Sequence, residues 1–286
     1  MKRKTGTAAI VIAMFTALLL AGCGGGTQKE APAPVLAPSP VPLSVPAPAP
    51  EPEISGEILI AVAASLQNAF EGELIPMFNG EYPGVKVTGT YDGSGKLQTQ
   101  IEQGLDAALF FSAALKQMDA LIDGGFIDGS TVVSLLENEV VLITGAETDT
   151  SVTGFENIGD AASIAIGDPA SVPAGQYAEE ILKSLGSWDG IEKRASLGSN
   201  VTEVLNWVAE GSAEVGVVYM TDAASMKDKV RVIAVAPEGT LKSQVVYPVG
   251  LMNDLGDRAE AAEAFINFLK SYEAMIIFID HGFKAL

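Results

Sequence analysis

From residue 57 onward, short apolar runs alternate with stretches whose apolar residues recur every three or four positions. Residues 57–63 (EILIAVA) read as a strand and 67–79 as the helix that follows it. Residues 85–91 (VKVTGTY) alternate apolar and polar side chains, the pattern of a half-buried strand. A helix is then expected from about 96 to 103, a short buried strand at 109–112 and a helix at 116–123. Residues 139–144 (EVVLIT) form a strong strand candidate, and 163–167 (SIAIG) another that leads into a helix after Pro173. Residues 200–210 place Val201, Val204, Leu205 and Val208 on one helical face. Strands are expected at 215–219, 230–235 and 245–252, and a single helix over 258–272 closes the chain. Strand–helix alternation of this kind predicts an α/β fold, and no internal repeat is visible.

The N-terminus has a different pattern. Lys2, Arg3 and Lys4 precede an apolar run over 8–20 that ends in Leu20-Ala21-Gly22-Cys23. A basic start followed by a short apolar stretch predicts an export signal rather than a membrane span. The Leu-Ala-Gly-Cys end resembles the lipobox of bacterial lipoproteins. That resemblance implies a signal peptide over 1–22, cleavage before Cys23 and a lipid on its sulfur. An ordinary signal peptide with an accidental cysteine is the alternative. Cys23 is the only cysteine, which excludes an internal disulfide. Residues 31–53 hold nine of the fifteen prolines. Polyproline II geometry would extend them by ~70 Å at ~3.1 Å per residue. Residues 23–53 are therefore expected to be a lipidated stalk that holds the rest outside the cytoplasm, in the periplasm or on the outer face of the cell membrane. A ligand for a proline-binding module is the alternative.

Residues 54–286 are enough for one large domain or two lobes. The formal charge is −19; without Lys2, Arg3 and Lys4, 14 basic side chains face 36 acidic ones, a charge of −22. Such a surface repels nucleic acid and anionic lipid. It offers no long-range attraction to an anionic ligand either, so an anion site here has to rely on local donors.

Four segments look like helix starts with a small or hydroxyl residue at the tip: AASLQNAF at Ser65, DGSGKLQ at Ser94, VPAGQYAEEIL at Ala174 and SNVTEVLNW at Val201. A fifth, EVGVVYMTDA, is a buried strand ending near Tyr219. Helix starts leave backbone N–H groups unpaired at the positive end of the macrodipole. Together with the hydroxyls of Ser65, Ser94 and Tyr219 they could enclose a small oxyanion without any charged side chain. Each residue also has an ordinary reading. The serines can be plain N-caps, Tyr219 a core tyrosine, and Gly93 and Gly95 a turn. Lys96 is expected to point to solvent and His281, the only histidine, to be a surface or packing residue.

In order and combination these motifs resemble the periplasmic molybdate-binding proteins of ABC transporters, in a lipoprotein form. The resemblance runs from ILIAVAASLQNAF and YDGSGKLQTQIEQG through FFSAALKQMDALI, VVLITG, DPASVPAGQYAEEIL and LGSNVTEVLNWVAEGSAEVGVVYMTDA to YPVGLM. It implies a type II periplasmic-binding-protein fold with two mixed-sheet lobes joined by two crossing strands. Residues 54–138 plus 245–286 would form lobe 1 and 139–244 lobe 2, with 139–144 and 245–252 as the hinge candidates. It further implies a molybdate or tungstate site at Ser65, Ser94, Ala174, Val201 and Tyr219. The two serines and the tyrosine would give hydroxyls there, and Ala174 and Val201 backbone N–H. Molybdenum would be reached only through the oxyanion, with no direct metal ligand and no cofactor. Delivery to an ABC permease by a monomer follows from the same resemblance. The sequence departs from the family at Ala108 and Ala114, where acidic residues are usual.

A donor-only cage suits molybdate and tungstate, which carry no proton near neutrality. Phosphate keeps one, and an unpaired buried donor costs ~1–3 kcal/mol. Sulfate is also unprotonated, and only cavity size would reject it. An enzyme on the same fold lacks support: no base partner for Ser94 and no metal-ligand spacing is apparent. A sensory or adhesive domain on a stalk is a third possibility.

Overall fold

Two β-sheets with helices packed on them organise residues 54–286, the part that the computed structural model describes. The signal peptide, Cys23 and the Pro-rich stalk expected from the sequence lie outside the described residues. β1 (Gly56–Ala63) leads through a 3-10 turn at Ala64–Leu66 into one helical path. That path comprises α1 (Gln67–Ala69), a π-helical turn (Phe70–Leu74) and α2 (Ile75–Glu81). The π turn sits immediately before Pro76. There the Ile75 N–H reaches back to Phe70 O, a local widening of the helix next to a residue that has no N–H to give.

β2 (Val85–Asp92), α3 (Ser94–Glu102), β3 (Leu109–Phe111), α4 (Leu115–Asp123) and β4 (Val133–Asn138) follow. Glu139 alone separates β4 from β5 (Val140–Gly145), which belongs to the second sheet. That sheet continues with β6 (Ile164–Gly167), α5 (Pro173–Ser184), α6 (Trp188–Ile191), β7 (Ser196–Gly198), α7 (Val201–Ala209), β8 (Val215–Tyr219), α8 (Met220–Ser225) and β9 (Val230–Val235). Residues 236–244 return the chain to β10 (Val245–Leu251). α9 (Ala259–Leu269), α10 (Tyr272–Asp280) and β11 (Lys284–Ala285) complete it.

The first sheet has the order β11-β4-β10-β3-β1-β2 and the second β7-β6-β8-β5-β9. In each sheet three strands run parallel, β1–β3 in one and β6–β8 in the other. Each parallel set is continued by an antiparallel strand, β10 or β5. These are the two mixed-sheet lobes of a type II periplasmic binding protein. The first lobe's core is aromatic: Phe70 meets Phe111 edge-on at 5.9 Å, and Phe78 meets Phe265 at 4.8 Å. The second is aliphatic, with Val141, Leu142, Ile143, Val217 and Val218 inaccessible to solvent.

Among the described residues, six α-helices and β-strands are additional to the sequence expectation: α10, β4 and α8, and the short α6, β7 and β11. The closing helix expected over 258–272 is α9, and an additional helix, α10, follows it where Ser271 takes an extended backbone and its hydroxyl accepts the Ala274 N–H at 3.1 Å as the cap. β4 is an additional strand: its buried residues, Leu135, Leu136 and Asn138, follow neither helical nor strand spacing. α8 is only six residues long, too short for a periodic signal.

Candidate functional site

β1 and β2 are parallel neighbours that end level, with Ala63 opposite Asp92. Ser65 and Ser94 each lie two residues further on, so they emerge side by side at the carboxyl edge of the first sheet, where open α/β sheets bind ligands. In the second lobe β6 and β7 also end level, with Gly167 opposite Gly198. The chain after β6 enters α5, with Pro173 first and Ala174 second. The chain after β7 enters α7 at Val201, capped by Asn200, whose side-chain oxygen accepts the Glu203 N–H at 3.0 Å. Tyr219 is the last residue of β8.

All five residues line one small cavity, about 10 Å³ in volume, between the two carboxyl edges. No lysine, arginine or histidine lines it. First-turn amides of a helix have no carbonyl to bond within that helix, and Ser94, Ala174 and Val201 all occupy first-turn positions. The Ser65 segment is a 3-10 turn rather than the start of an α-helix, and it leaves the same kind of amide open.

Glycines let the backbones meet. A Cβ on Gly175 would lie 2.0 Å from Gly167 O, so α5 can begin directly on the end of β6 only without a side chain there. Across the cleft, a Cβ on Gly95 would fall 2.6 Å from Ser171 O, and one on Gly93 would fall 2.8 Å from Ser199 O. The lobes touch at this point, with the Gly95 N–H donating to Ser171 O at 2.8 Å.

The three hydroxyls are held differently. Ser94 is fully buried, and its Oγ accepts the Ala113 N–H at 3.0 Å while keeping its own proton to donate. Ser65 Oγ lies 3.0 Å from Tyr247 Oη, and Tyr247 Oη accepts Asn138 Nδ2–H at 3.2 Å. With Asn138 as donor, the Tyr247 proton can go to Ser65, which frees the Ser65 proton for the cavity. Tyr219 is 1% exposed and its Oη has no hydrogen-bond partner among the described residues. Burial holds its pKa well above the ordinary tyrosine value, so it is a neutral donor. Its N–H is already given to Asp222 Oδ2 at 3.0 Å. Asp222 is itself buried, and burial pushes its pKa up to about 7 against the lowering effect of that bond.

One residue of the cavity wall escapes sequence reasoning. Asp92 lines it, although a site read as donors only has no place for a carboxylate. Both oxygens are engaged. Oδ1 accepts the Gly93 N–H at 2.9 Å and Asn200 Nδ2–H at 3.3 Å, and Oδ2 pairs with Lys96 Nζ at 2.5 Å. Lys96 is thus only half exposed and tied to the cavity wall, not simply solvated. The one available signal is an aspartate directly before Gly-Ser-Gly.

His281 stands apart from the cavity and bonds Glu73 Oε1 at 3.1 Å. Ala108 is a core residue whose N–H bonds Leu59 O and whose carbonyl accepts the Met252 N–H. The backbone of Ala114 bonds the Ser112 hydroxyl before α4. Neither alanine lines the cavity. Among the described residues no group of three or more His, Cys, Asp or Glu is arranged to hold a metal ion.

Residues 58–284 match the family described as bacterial extracellular solute-binding protein. The chain belongs to this family. The solute-binding protein is 40% identical over 228 residues to a protein of Bacillus subtilis described as a putative ABC transporter substrate-binding lipoprotein. That alignment covers 80% of this chain and 86% of the relative. It is 36% identical to the molybdate-binding protein ModA of Escherichia coli, over 80% of this chain and 89% of that one. Among solved structures it resembles a substrate-binding domain described as that of a putative molybdenum ABC transporter from Clostridium difficile. There the TM-score is 0.61 at 36% identity, over 80% of this chain and 99% of that chain. The family is one of solute carriers and not of enzymes. No helix among the described residues is long and apolar enough to cross a membrane.

Proposed function

We propose that this solute-binding protein captures molybdate or tungstate between its lobes and hands it to an ABC permease. The observation that carries the reading is the cavity lined by Ser65, Ser94, Ala174, Val201 and Tyr219. It offers neutral donors from both lobes and no cationic side chain. A hydrogen bond to a charged group is worth ~1.5–3 kcal/mol, so several together suffice for tight binding of a dianion. The cavity is smaller than the ~300–1,000 Å³ usual for organic ligands, which favours a small inorganic ion. The two relatives described as molybdenum or molybdate binders support the same choice.

Asp92 does not reopen the case for phosphate. Its oxygens already accept from Gly93, Asn200 and Lys96, three of the roughly four bonds a carboxylate can accept, so it is a poorer acceptor for the proton of hydrogen phosphate than a free carboxylate. The lobe boundaries are proposed at 138/139 and 244/245, where the chain passes between the sheets. Binding is proposed to draw the lobes together, because each contributes donors that the other lacks. Catalysis forms no part of this function, and no cofactor is needed. Lipidation at Cys23, a stalk over 31–53, a monomeric state and a place outside the cytoplasmic membrane complete the proposal. The lipoprotein description of the Bacillus subtilis relative supports the anchor.

Calorimetric titration of residues 54–286 with molybdate, tungstate, sulfate and phosphate tests the ligand. One site per chain for molybdate or tungstate and no phosphate heat at neutral pH is expected. Equal heats for phosphate and molybdate refute the donor-cage argument, and a sulfate preference transfers the site to another oxyanion.

A further inference from the structure

Three side chains form a line from the surface of the first lobe into the second. Lys96 Nζ lies 2.5 Å from Asp92 Oδ2, and Asp92 Oδ1 accepts Asn200 Nδ2–H from across the cleft at 3.3 Å. Asn200 is the cap of α7, the helix whose first amide is that of Val201. The orientation of the Asn200 amide is fixed by its partners. Its oxygen must face the Glu203 N–H, which it accepts, so its NH₂ group faces Asp92, which can only accept. Glu203 closes the network behind it, with Oε2 accepting the Ser199 N–H at 2.7 Å and Ser199 Oγ–H at 2.9 Å. The cap therefore serves two purposes at once: it starts α7, and it ties that start to the opposite lobe.

The arrangement answers why an anion cavity keeps a carboxylate in its wall. A negative charge beside a dianion is unfavourable unless something offsets it, and Lys96 does so from the outer side. We infer that Asp92 is a positioning residue for anion capture: held by Lys96, it pulls the Asn200 cap across the cleft and sets the Val201 N–H against the ligand. The inference rests on the oxyanion reading above. It adds that affinity depends on a cross-cleft bond that never touches the anion.

Asn200→Asp is the discriminating variant. Aspartate caps a helix as well as asparagine does, so α7 and the unliganded melting temperature should be preserved. The donor facing Asp92 becomes a second carboxylate, which opposes closure. Molybdate affinity in the calorimeter should fall at least ~tenfold, and stopped-flow measurements should place the change in the dissociation rate, as expected for a contact made after encounter. The double variant Asp92→Asn/Asn200→Asp exchanges donor and acceptor and should recover part of the loss. A role in folding alone would not produce that rescue. Lys96→Gln should weaken binding less than Asn200→Asp, and combining it with Asp92→Asn should reduce its effect. If wild-type protein binds molybdate and Asn200→Asp binds it equally well, the positioning role is refuted while the oxyanion reading stands. If the double variant is no better than Asn200→Asp, the bond is not the working element and the inference fails. A wild-type protein that gives no heat with molybdate or tungstate refutes the oxyanion reading itself, and the inference with it.

Discussion

Ser94 and Tyr219 face each other across one cavity with their hydroxyls in opposite states. Ser94 Oγ is already bonded to the Ala113 N–H inside its own lobe, and Ser65 is likewise joined to Tyr247. Tyr219 Oη, equally buried, bonds nothing among the described residues. The first lobe thus supplies a wall whose hydroxyls each keep a protein partner whether or not an anion is present, with a proton left to donate. The second lobe supplies helix-start amides and an idle phenol, which become satisfied only against a ligand. An unpartnered buried hydroxyl costs ~1–3 kcal/mol. That cost opposes the closed empty form and disappears when the anion arrives. The asymmetry makes closure conditional on cargo, because the buried phenol of the second wall has no partner without it.

The strongest way to break this relation is to keep the walls apart. A side chain on Gly95 would run into the Ser171 backbone of the other lobe, 2.6 Å from its carbonyl oxygen, without entering the first lobe's core. Gly95→Val should therefore leave the fold and melting temperature of the empty protein close to wild type. Molybdate affinity should fall by at least ~100-fold, the equivalent of roughly 2.8 kcal/mol. Near-wild-type affinity would mean that the lobes need not approach this closely.

The two hydroxyls sharpen the comparison. Ser94→Ala removes an anion donor and also strands the buried Ala113 N–H. It should lower affinity by roughly ten- to a hundredfold and destabilise the empty protein by about 1–3 kcal/mol. Tyr219→Phe removes a hydroxyl that had no partner. It should lower affinity by about tenfold or somewhat more, while urea melts of the empty protein should show unchanged or greater stability. If both variants lose stability equally, the walls do not differ as described.

How far the sequence can go follows from what each residue does. Ser65, Ser94, Ala174, Val201 and Tyr219 are legible because they sit at strand ends and helix starts, where local spacing and turn chemistry are strong, and because their motifs resemble a known family. β1, β2, β3, β6 and β8 can be read from apolar runs such as IAVA and VGVVY, whereas β7 (SLG) is three residues long with two of them exposed and gives no such run. β4 cannot be read either, since Leu135 and Leu136 are adjacent and both buried, which breaks the alternation of a strand. Nor is α10 legible, because only the Ser271 cap separates its apolar pattern from that of α9. Asp92 stays hidden for another reason. Its role depends on Asn200, 108 residues away, and no local pattern records a contact across a cleft. The same holds for Gly175, whose need to be glycine comes from Gly167 O at the end of the preceding strand.

The smallest expected effect on affinity comes from behind the second wall, at Asp222. Its carboxylate accepts the Tyr219 N–H at 3.0 Å, and burial pushes its pKa up to about 7. The folded protein then holds this proton to higher pH than the unfolded chain, where an aspartate titrates near ~3.9. Stability should fall as pH rises from about 4 to about 7, since the folded state binds the extra proton in that window, and the loss is complete above it. An asparagine in its place would keep an acceptor for the Tyr219 N–H and carry no charge at any pH. Asp222→Asn should accordingly match wild type in chemical denaturation near pH ~4 and gain on it with a limiting slope of about 1.4 kcal/mol per pH unit. The gain should level off above about pH 7. Molybdate affinity should tighten by less than about tenfold at pH ~8, where wild type carries the extra negative charge near the anion, and should not change at pH ~5. A constant stability difference across the range would show that Asp222 is ionised throughout. The idle phenol of Tyr219 would then be held by a permanent charge instead of a neutral acid.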